Sequence, residues 1–423
     1  MTQVELPVGW QWKSIGEVCR VIPGFAFKSK DWTDTGIPVI KIKNIQADCS
    51  VNTSICDCIP SEIFTEKLNK FVARKGDILI AMTGATAGKV GRLLANESFL
   101  INQRVAKLEP ETIGKDFFWG VVSGRHYQEL FFNLADGAAQ PNMSGKQIEG
   151  VRIPVPPPQT QEKISVIIGS YDDLIENNTR RIEILEEMAR RLYEEWFVQF
   201  RFPGHEGVEF KESELGLIPK SWSVVKLEEI CDLITDGAHK SPPTAETGMP
   251  MASVKDMHDW GVDVSKCRKI SRSDYDDLVR NNCKPMIGDV LVAKDGSYLK
   301  HIFSVEKDQD LVLLSSIAIL RPINKSVSDL LVCLLRHPET IARMKGCVSG
   351  VAIPRIILKD FRKFQIVFPS QDLQEAWLAT ASPLMRLCRK LVDKNANLRA
   401  QRDLLLPKLI SGEIDVSDIP MPT

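Results

Sequence analysis

Short apolar runs broken by Gly, Pro, Asn and Asp fill residues 1 to about 155, and the same texture returns from about 206 to 370. Ile78-Leu79-Ile80 and Val290-Leu291-Val292 are typical: three apolar residues bounded by turn formers, the length and chemistry of a buried strand. The pattern predicts two β-rich α+β domains. A proline stop closes the first at Pro156-Pro157-Pro158, and no proline follows from Gln159 through Phe202. Along that stretch Ile164, Ile168, Tyr171, Ile175, Asn178, Ile182, Leu185, Ala189, Leu192 and Trp196 are spaced alternately by four and three, a heptad seam in which Asn178 is the polar member. Gly169-Ser170 is a candidate interruption of its first turns. A looser seam, Trp377, Leu384, Cys388, Leu391, Asn395, Leu398, Leu405 and Leu409, runs through residues 371–410, with Arg402 out of pattern. Ser382-Pro383 reads as an N-cap followed by a first-turn proline, so the second long helix is expected to restart there.

Each seam needs an apolar partner and carries one central Asn, so the simplest arrangement pairs the two helices and uses the asparagines to fix register. Paired antiparallel, they place the two domains at opposite ends of a rod with pseudo-two-fold symmetry. At about 1.5 Å per residue, some 30 to 35 helical residues span roughly 45 to 50 Å. Major-groove sites on one face of B-DNA recur about every 34 Å, so such a rod suits two domains on half-sites about one turn apart.

The apolar pattern is also written twice. Gly76-Asp77-Ile78-Leu79-Ile80-Ala81-Met82-Thr83-Gly84 returns 212 residues later as Gly288-Asp289-Val290-Leu291-Val292-Ala293-Lys294-Asp295-Gly296, with the scaffold kept and the tip changed. Leu6-Pro7-Val8-Gly9-Trp10 answers Ile218-Pro219-Lys220-Ser221-Trp222, and Gly36-Ile37-Pro38-Val39 answers Gly248-Met249-Pro250-Met251. Ile153-Pro154-Val155-Pro156 with Gln161-Glu162 answers Ile366-Val367-Phe368-Pro369 with Gln374-Glu375. A unit about half the chain long is duplicated in tandem, too long for a solenoid repeat.

Composition adds limits rather than direction. The chain has 423 residues, 43% hydrophobic and 26% charged, enough for two or three domains with real cores, and its net charge of −1 neither suggests nor forbids nucleic acid. The start of the sequence has no apolar signal core and no apolar run reaches the roughly 18 residues of a membrane span, so a cytoplasmic location is expected. Cys49, Cys56 and Cys58 lack paired metal spacing and read as structural thiols, and no metal site is expected.

Motifs for catalysis fail on inspection. An adenine methyltransferase turn needs Asn or Asp before Pro-Pro and an aromatic after it, and Ser241-Pro242-Pro243-Thr244 has neither. Gly84-Ala85-Thr86-Ala87-Gly88-Lys89-Val90 spaces its glycines one residue too closely for a phosphate loop and puts Val90 where a magnesium-binding hydroxyl belongs. No catalytic residue and no resident cofactor are assigned. A nuclease or methyltransferase fragment and a coiled-coil scaffold with protein-binding domains are the rival classes. S-adenosylmethionine binding by the isolated chain would favour the first, and absence of sequence-dependent DNA retention in any partner complex the second.

Gly36-Ile37-Pro38 followed by Lys41-Ile42-Lys43-Asn44-Ile45, then Gly76-Asp77-Ile78-Leu79, Ala139-Gln140-Pro141-Asn142-Met143-Ser144, and Ile153-Pro154-Val155-Pro156-Pro157-Pro158 with Gln161-Glu162 and Ile164, resembles the specificity subunit of Type I restriction-modification systems. The closing Leu404-Leu405-Leu406-Pro407-Lys408-Leu409-Ile410-Ser411-Gly412-Glu413-Ile414 is similar to that family's last helix. In the second half Val351-Ala352-Ile353-Pro354-Arg355 replaces the Gln-Pro-Asn stretch, and Ser370-Gln371-Asp372 replaces the triple proline. The resemblance implies a non-catalytic subunit with target-recognition domains at 1–155 and 206–370 and conserved helical spacers at 156–205 and 371–423. Each domain would read one half of a bipartite double-stranded DNA site. The helices would set the spacing and dock two methyltransferase subunits, which carry S-adenosylmethionine, and motor-nuclease subunits could join.

The expected DNA contacts lie in loops at matching positions of the repeat. Phe27, Lys28 and Lys30 answer His239 and Lys240, and Lys41, Lys43 and Asn44 answer Lys255 and Asp256. Cations suit phosphate or guanine, and Asn suits adenine. The tips offer Thr83, Thr86 and Lys89 in the first half and Lys294, Ser297 and Lys300 in the second. Asn102, Gln103 and Arg104 form the triplet best suited to base edges, while Ser315 and Ser316 stand at their counterpart, a difference that two unlike half-sites would produce. Gln140 and Asn142, with Arg355 in the second half, complete the set. The mixed charges from Arg180 to Arg191 read as a solvated or docking face.

Overall fold

The computed structural model of the chain describes residues 6–135, 142–296, 299–349 and 354–420. Two compact units emerge, residues 1–177 with 395–423, and residues 178–394. Each unit therefore takes in part of both long helices.

In the first unit an antiparallel sheet orders the strands Cys19–Pro23, Val105–Pro110, Ile78–Ala81 and Val90–Arg92. A second sheet orders Asp57–Ile59, Ile37–Ile40, Phe99–Ile101 and Val72–Ala73, and Gln11–Ser14 pairs with Arg152–Val155. The second unit repeats this plan with Cys231–Asp236, Ile317–Pro322, Val290–Ala293 and Ile302–Ser304 in one sheet, and Arg268–Ile270, Met249–Ala252 and Val312–Leu313 in another. Register repeats too: Ile78 faces Leu108 and Ile80 faces Ala106, as Val290 faces Leu320 and Val292 faces Ala318.

The duplicated Gly-Asp is a strand-entry turn. Gly76 and Gly288 adopt φ of 85° and 90°, a region that favours glycine. The following carboxylate closes the turn, Asp77 accepting from the Arg74 amide at 2.9 Å and Asp289 from the Met286 amide at 2.7 Å. Asp289 is fully buried and also accepts both arms of the Arg321 guanidinium at 2.8 Å. Removing the carboxylate would leave that cation without its partner. Asp289→Ala is expected to lower unfolding free energy by about 3 kcal/mol or more, measured by urea denaturation.

The first long helix, Pro158–Tyr193, passes through Gly169-Ser170 unbroken and ends in a π-turn at Glu194–Val198. The second, Gln371–Ser411, is also continuous and does not restart at Pro383. Ala381 and Met385 on either side of that proline are buried in the second unit's core, and this packing overrides the local breaker signal. Gln161 and Gln374 explain the repeated Gln-Glu: their side-chain amides donate back to the Pro156 and Pro369 carbonyls at 2.9 and 2.7 Å, bracing each helix start.

Every seam position named above is buried or half-buried. Within the first unit Arg402 pairs with Asp172 at 2.7 Å and the Asn395 amide donates to the Ile175 carbonyl at 3.3 Å, so the helices run antiparallel. Within the second, Cys388 meets the Ile182 carbonyl and Tyr193 meets Trp377, again antiparallel. Arg402 escapes the seam pattern because it serves an ion pair: the other oxygen of Asp172 accepts from the Trp119 indole at 2.9 Å. In the first unit Ile164, Ile168, Leu406 and Leu409 share one core with Phe117, Phe118, Ile78 and Ile80. In the second unit Tyr193, Phe197, Trp377 and Ala381 join Leu330, Leu331, Val290 and Val292. All ten cysteines are free thiols, and burial pushes Cys49 up to about 11. No helix among the described residues is long and apolar enough to cross a membrane.

Candidate nucleic-acid interface

In each unit, at one end of the four-stranded sheet that holds the duplicated strand (Ile78–Ala81 or Val290–Ala293), backbone hydrogen bonds tie several loops into one edge. In the first unit the Gln103 amide donates to the Phe25 carbonyl, Met82 to Arg104 and Met143 to Met82, at 2.8 to 2.9 Å, and Thr83 bridges to Asn142. The second unit repeats the ladder: Ser315 donates to Ala238, Lys294 to Ser316 and Ile356 to Lys294, and Asp295 bridges to Arg355. The fold thus brings Asn102, Gln103, Arg104, Thr83 and Asn142 together in one unit, and His239, Ser315, Ser316, Lys294 and Arg355 in the other. Gln103, Arg104, Asn142, His239 and Arg355 are exposed, and no hydrogen bond or ion pair engages the Arg104 guanidinium among the described residues.

The other expected contacts divide by environment. Lys28 and Lys30 stand exposed on the loop that follows Phe25, and Lys240, Lys255 and Lys300 are exposed in the second unit. Phe27, by contrast, is a core residue packed with Val39, Ile59, Leu68 and Leu100; the exposed ring on this edge is Phe25. Asn44 is fully buried, accepting from the Lys41 amide at 2.8 Å and donating to the Asn52 carbonyl at 2.8 Å. Asp256 closes the same turn by accepting from the Ser253 amide at 2.8 Å. These two side chains order the loop, leaving Lys41 and Lys43 beside Asp57 at 2.7 and 3.0 Å, with Lys41 also 3.2 Å above the Trp32 ring. Thr86 reaches the Thr83 carbonyl at 3.5 Å, and Ser316 accepts from the Val254 amide at 3.3 Å. Lys89 does not join the edge. It lines a cleft of about 960 Å³ with Arg125, His126, Phe132 and Arg399. Gln140 and Ser297 lie outside the described residues.

The sequence pattern described as the Type I restriction modification DNA specificity domain matches residues 7–187 and again 219–396. The chain belongs to the Type I restriction-modification specificity family. It is 24% identical to the MjaIX specificity subunit of Methanocaldococcus jannaschii over 98% of this chain and 96% of that one. It is 21% identical to the HindI specificity subunit of Haemophilus influenzae over 82% and 88%. The crystal structure of a Type I S subunit from M. genitalium shares the fold, with a TM-score of 0.54, 16% identity and coverage of 100% of this chain and 99% of that one.

A specificity subunit is a non-catalytic DNA-recognition component of a restriction-modification system, and the two edges just described carry different side chains at equivalent places in the two halves. Sequence reasoning did not single out three residues at or beside those edges. Trp32 holds Lys41, Phe25 presents the exposed ring, and Asp236 contacts both Lys294 and His239. The 212-residue repeat sets Gly24 opposite Asp236, and only the strand register, in which Pro23 and Asp236 pair with Ala106 and Ala318, shows that Pro23 occupies its place in the first unit.

Proposed function

We propose that each unit of this specificity subunit reads one half of a bipartite double-stranded DNA site through its loop edge. The two long helices fix the unspecified spacer between the halves and dock two methyltransferase subunits, which bind S-adenosylmethionine and methylate adenine; motor-nuclease subunits complete the restriction complex. The observation that carries this reading is one backbone ladder built twice with different side chains at the same places, Gln103, Arg104, Thr83 and Asn142 against Ser315, Ser316, Asp295 and Arg355. Constant geometry with variable tips is what two readers of unlike sequences require. Docking is supported by Leu174, Ile184 and Met188, apolar residues of the first long helix about half exposed outside its seam. Mapping methyladenine across a host genome with and without the chain tests the whole reading: a split motif that vanishes with the chain is expected, and an unchanged methylation pattern would refute it.

Individual side chains give finer results. Arg104→Ala is expected to weaken discrimination at one base position by about 1 to 3 kcal/mol, leaving other positions intact in a binding assay on substituted sites. Lys28→Ala, removing an exposed cation next to the edge, should instead weaken all sequences alike and lower the salt slope by about one. Equal, sequence-independent losses from both would remove Arg104 from the set of base readers.

A further inference from the structure

The second unit buries charge where the first buries none. Lys294 and Asp236 are both 7% exposed in their side chains, and the Lys294 ammonium lies 2.9 Å from Asp236 Oδ2 and 3.4 Å from Asp295 Oδ1. The other Asp236 oxygen lies 3.1 Å from His239 Nε2. At the same places the first unit has Met82 for Lys294, Pro23 for Asp236 and Thr83 for Asp295. Met82 is as buried as Lys294, and its amide makes the same ladder bond. The first unit therefore builds the same turn with a buried apolar residue at the Lys294 place and no carboxylate at the other two, and a buried ion pair is commonly no more stabilising than an apolar replacement. Two carboxylates and one ammonium also leave this network a net negative charge, directly beneath the exposed His239 and on the residue bridged to Arg355. Beyond that 3.4 Å ion pair Asp295 Oδ1 accepts no hydrogen bond among the described residues, and Thr83 Oγ1 at the equivalent place has no hydrogen-bond partner among them.

We propose that Asp236, Lys294 and Asp295 are positioning residues of the second edge, holding the His239 loop and the Arg355 strand so that their donors meet the acceptor edge of a guanine in the second half-site. Donors aimed at O6 and N7 are the commonest means of reading guanine. Among the described residues the first edge, with Thr83, Gln103, Arg104 and Asn142 at the equivalent tip, holds no such network. This inference rests on the half-site reading above.

The test uses the full chain assembled with its methyltransferase subunits, and methylation of DNA libraries randomised one position at a time. The double variant Asp236→Leu/Lys294→Met removes both charges at once, as the first unit does naturally. It is expected to unfold within a few degrees of the parent, to keep every preference in the first half-site, and to lose about tenfold or more of the preference for one guanine in the second. Arg355→Ala or His239→Ala should lose preference for that same guanine. Unchanged second-half preferences, losses spread over both halves, or a double variant that does not fold would each overturn the proposal. Exchange of residues 1–155 in the same assay reports on half-site reading alone: if the parent shows no split preference and the exchange changes nothing, the underlying reading fails and this inference falls with it; if the exchange alters one half while the double variant alters none, only this inference falls.

Discussion

Exchanging residues 1–155 for the corresponding segment of another specificity subunit is expected to replace one half of the methylated sequence and leave the other half and the spacer unaltered. Every exposed side chain of the first edge, from Lys28 through Arg104 to Asn142, lies inside that segment, and every one of the second edge lies outside it. Half of the recognised sequence should change in one step, read directly by methylome sequencing. The structure adds a condition. Phe117, Phe118 and Gly120 pack on Ile168 and Leu406, which remain behind in the exchange. Donor segments that keep small and apolar residues at those three places should give folded chimaeras, whereas a bulky residue at position 120 would meet Ile168 Cδ1 within 2.8 Å. A folded, active chimaera in which both halves changed would refute the two-reader model.

Lengthening the helices is the second large effect. Four residues extend a helix by about 6 Å and turn it by about 40° beyond a full turn. Two base pairs add a similar length, about 7 Å, and rotate the distant half-site by roughly 70°. The two long helices run antiparallel in both units, and both pass from one unit's residues into the other's. An insertion in one helix alone therefore breaks the pairing that Cys388 with Ile182 and Asn395 with Ile175 record, and should abolish methylation or reduce it severely. Matched insertions of four helix-forming residues after Thr179 and after Lys394 should restore it, with both half-sites kept and the spacer longer by one or two base pairs. An active matched variant with an unchanged spacer would leave the helices only a docking role.

What could be read from sequence was what two copies hold in common. Gly76-Asp77 and Gly288-Asp289, Gln161 and Gln374, and the strand cores repeat because backbone geometry demands them, and repetition exposes that demand without an alignment. The apolar seams were legible for the same reason, since period alone fixes a buried stripe. Pro383 misled because a local breaker signal weighs a few kcal/mol and the packing of Ala381 and Met385 outweighs it. Asn44 and Phe27 misled because a residue type suited to base contact says nothing about which way its side chain faces. Lys89 shows the same limit: its loop belongs to the tip, yet its side chain lines a cleft beside Arg399, more than 300 residues away in the chain. The Asp236–Lys294 pair needed both three-dimensional proximity and the internal comparison with Pro23 and Met82 to become meaningful.

The second unit is one uninterrupted stretch, residues 178–394, whereas the first needs both the opening 177 residues and the stretch from 395 onward. Leu406, Leu409, Ile410 and Val416 are buried in the first unit's core, with Ile15, Ile78 and Phe117. On a ribosome adding roughly 5 to 20 residues per second, the order of completion is therefore the reverse of the order of synthesis. The later-made unit has all of its chain while the earlier-made one still lacks a wall, and for ten seconds or more its apolar face is open to chaperones and to neighbouring nascent chains. Synthesis that stalls just past Lys394 therefore leaves a second unit with all of its chain and a first unit that cannot complete its own core, because Leu406, Leu409, Ile410 and Val416 have not yet been added.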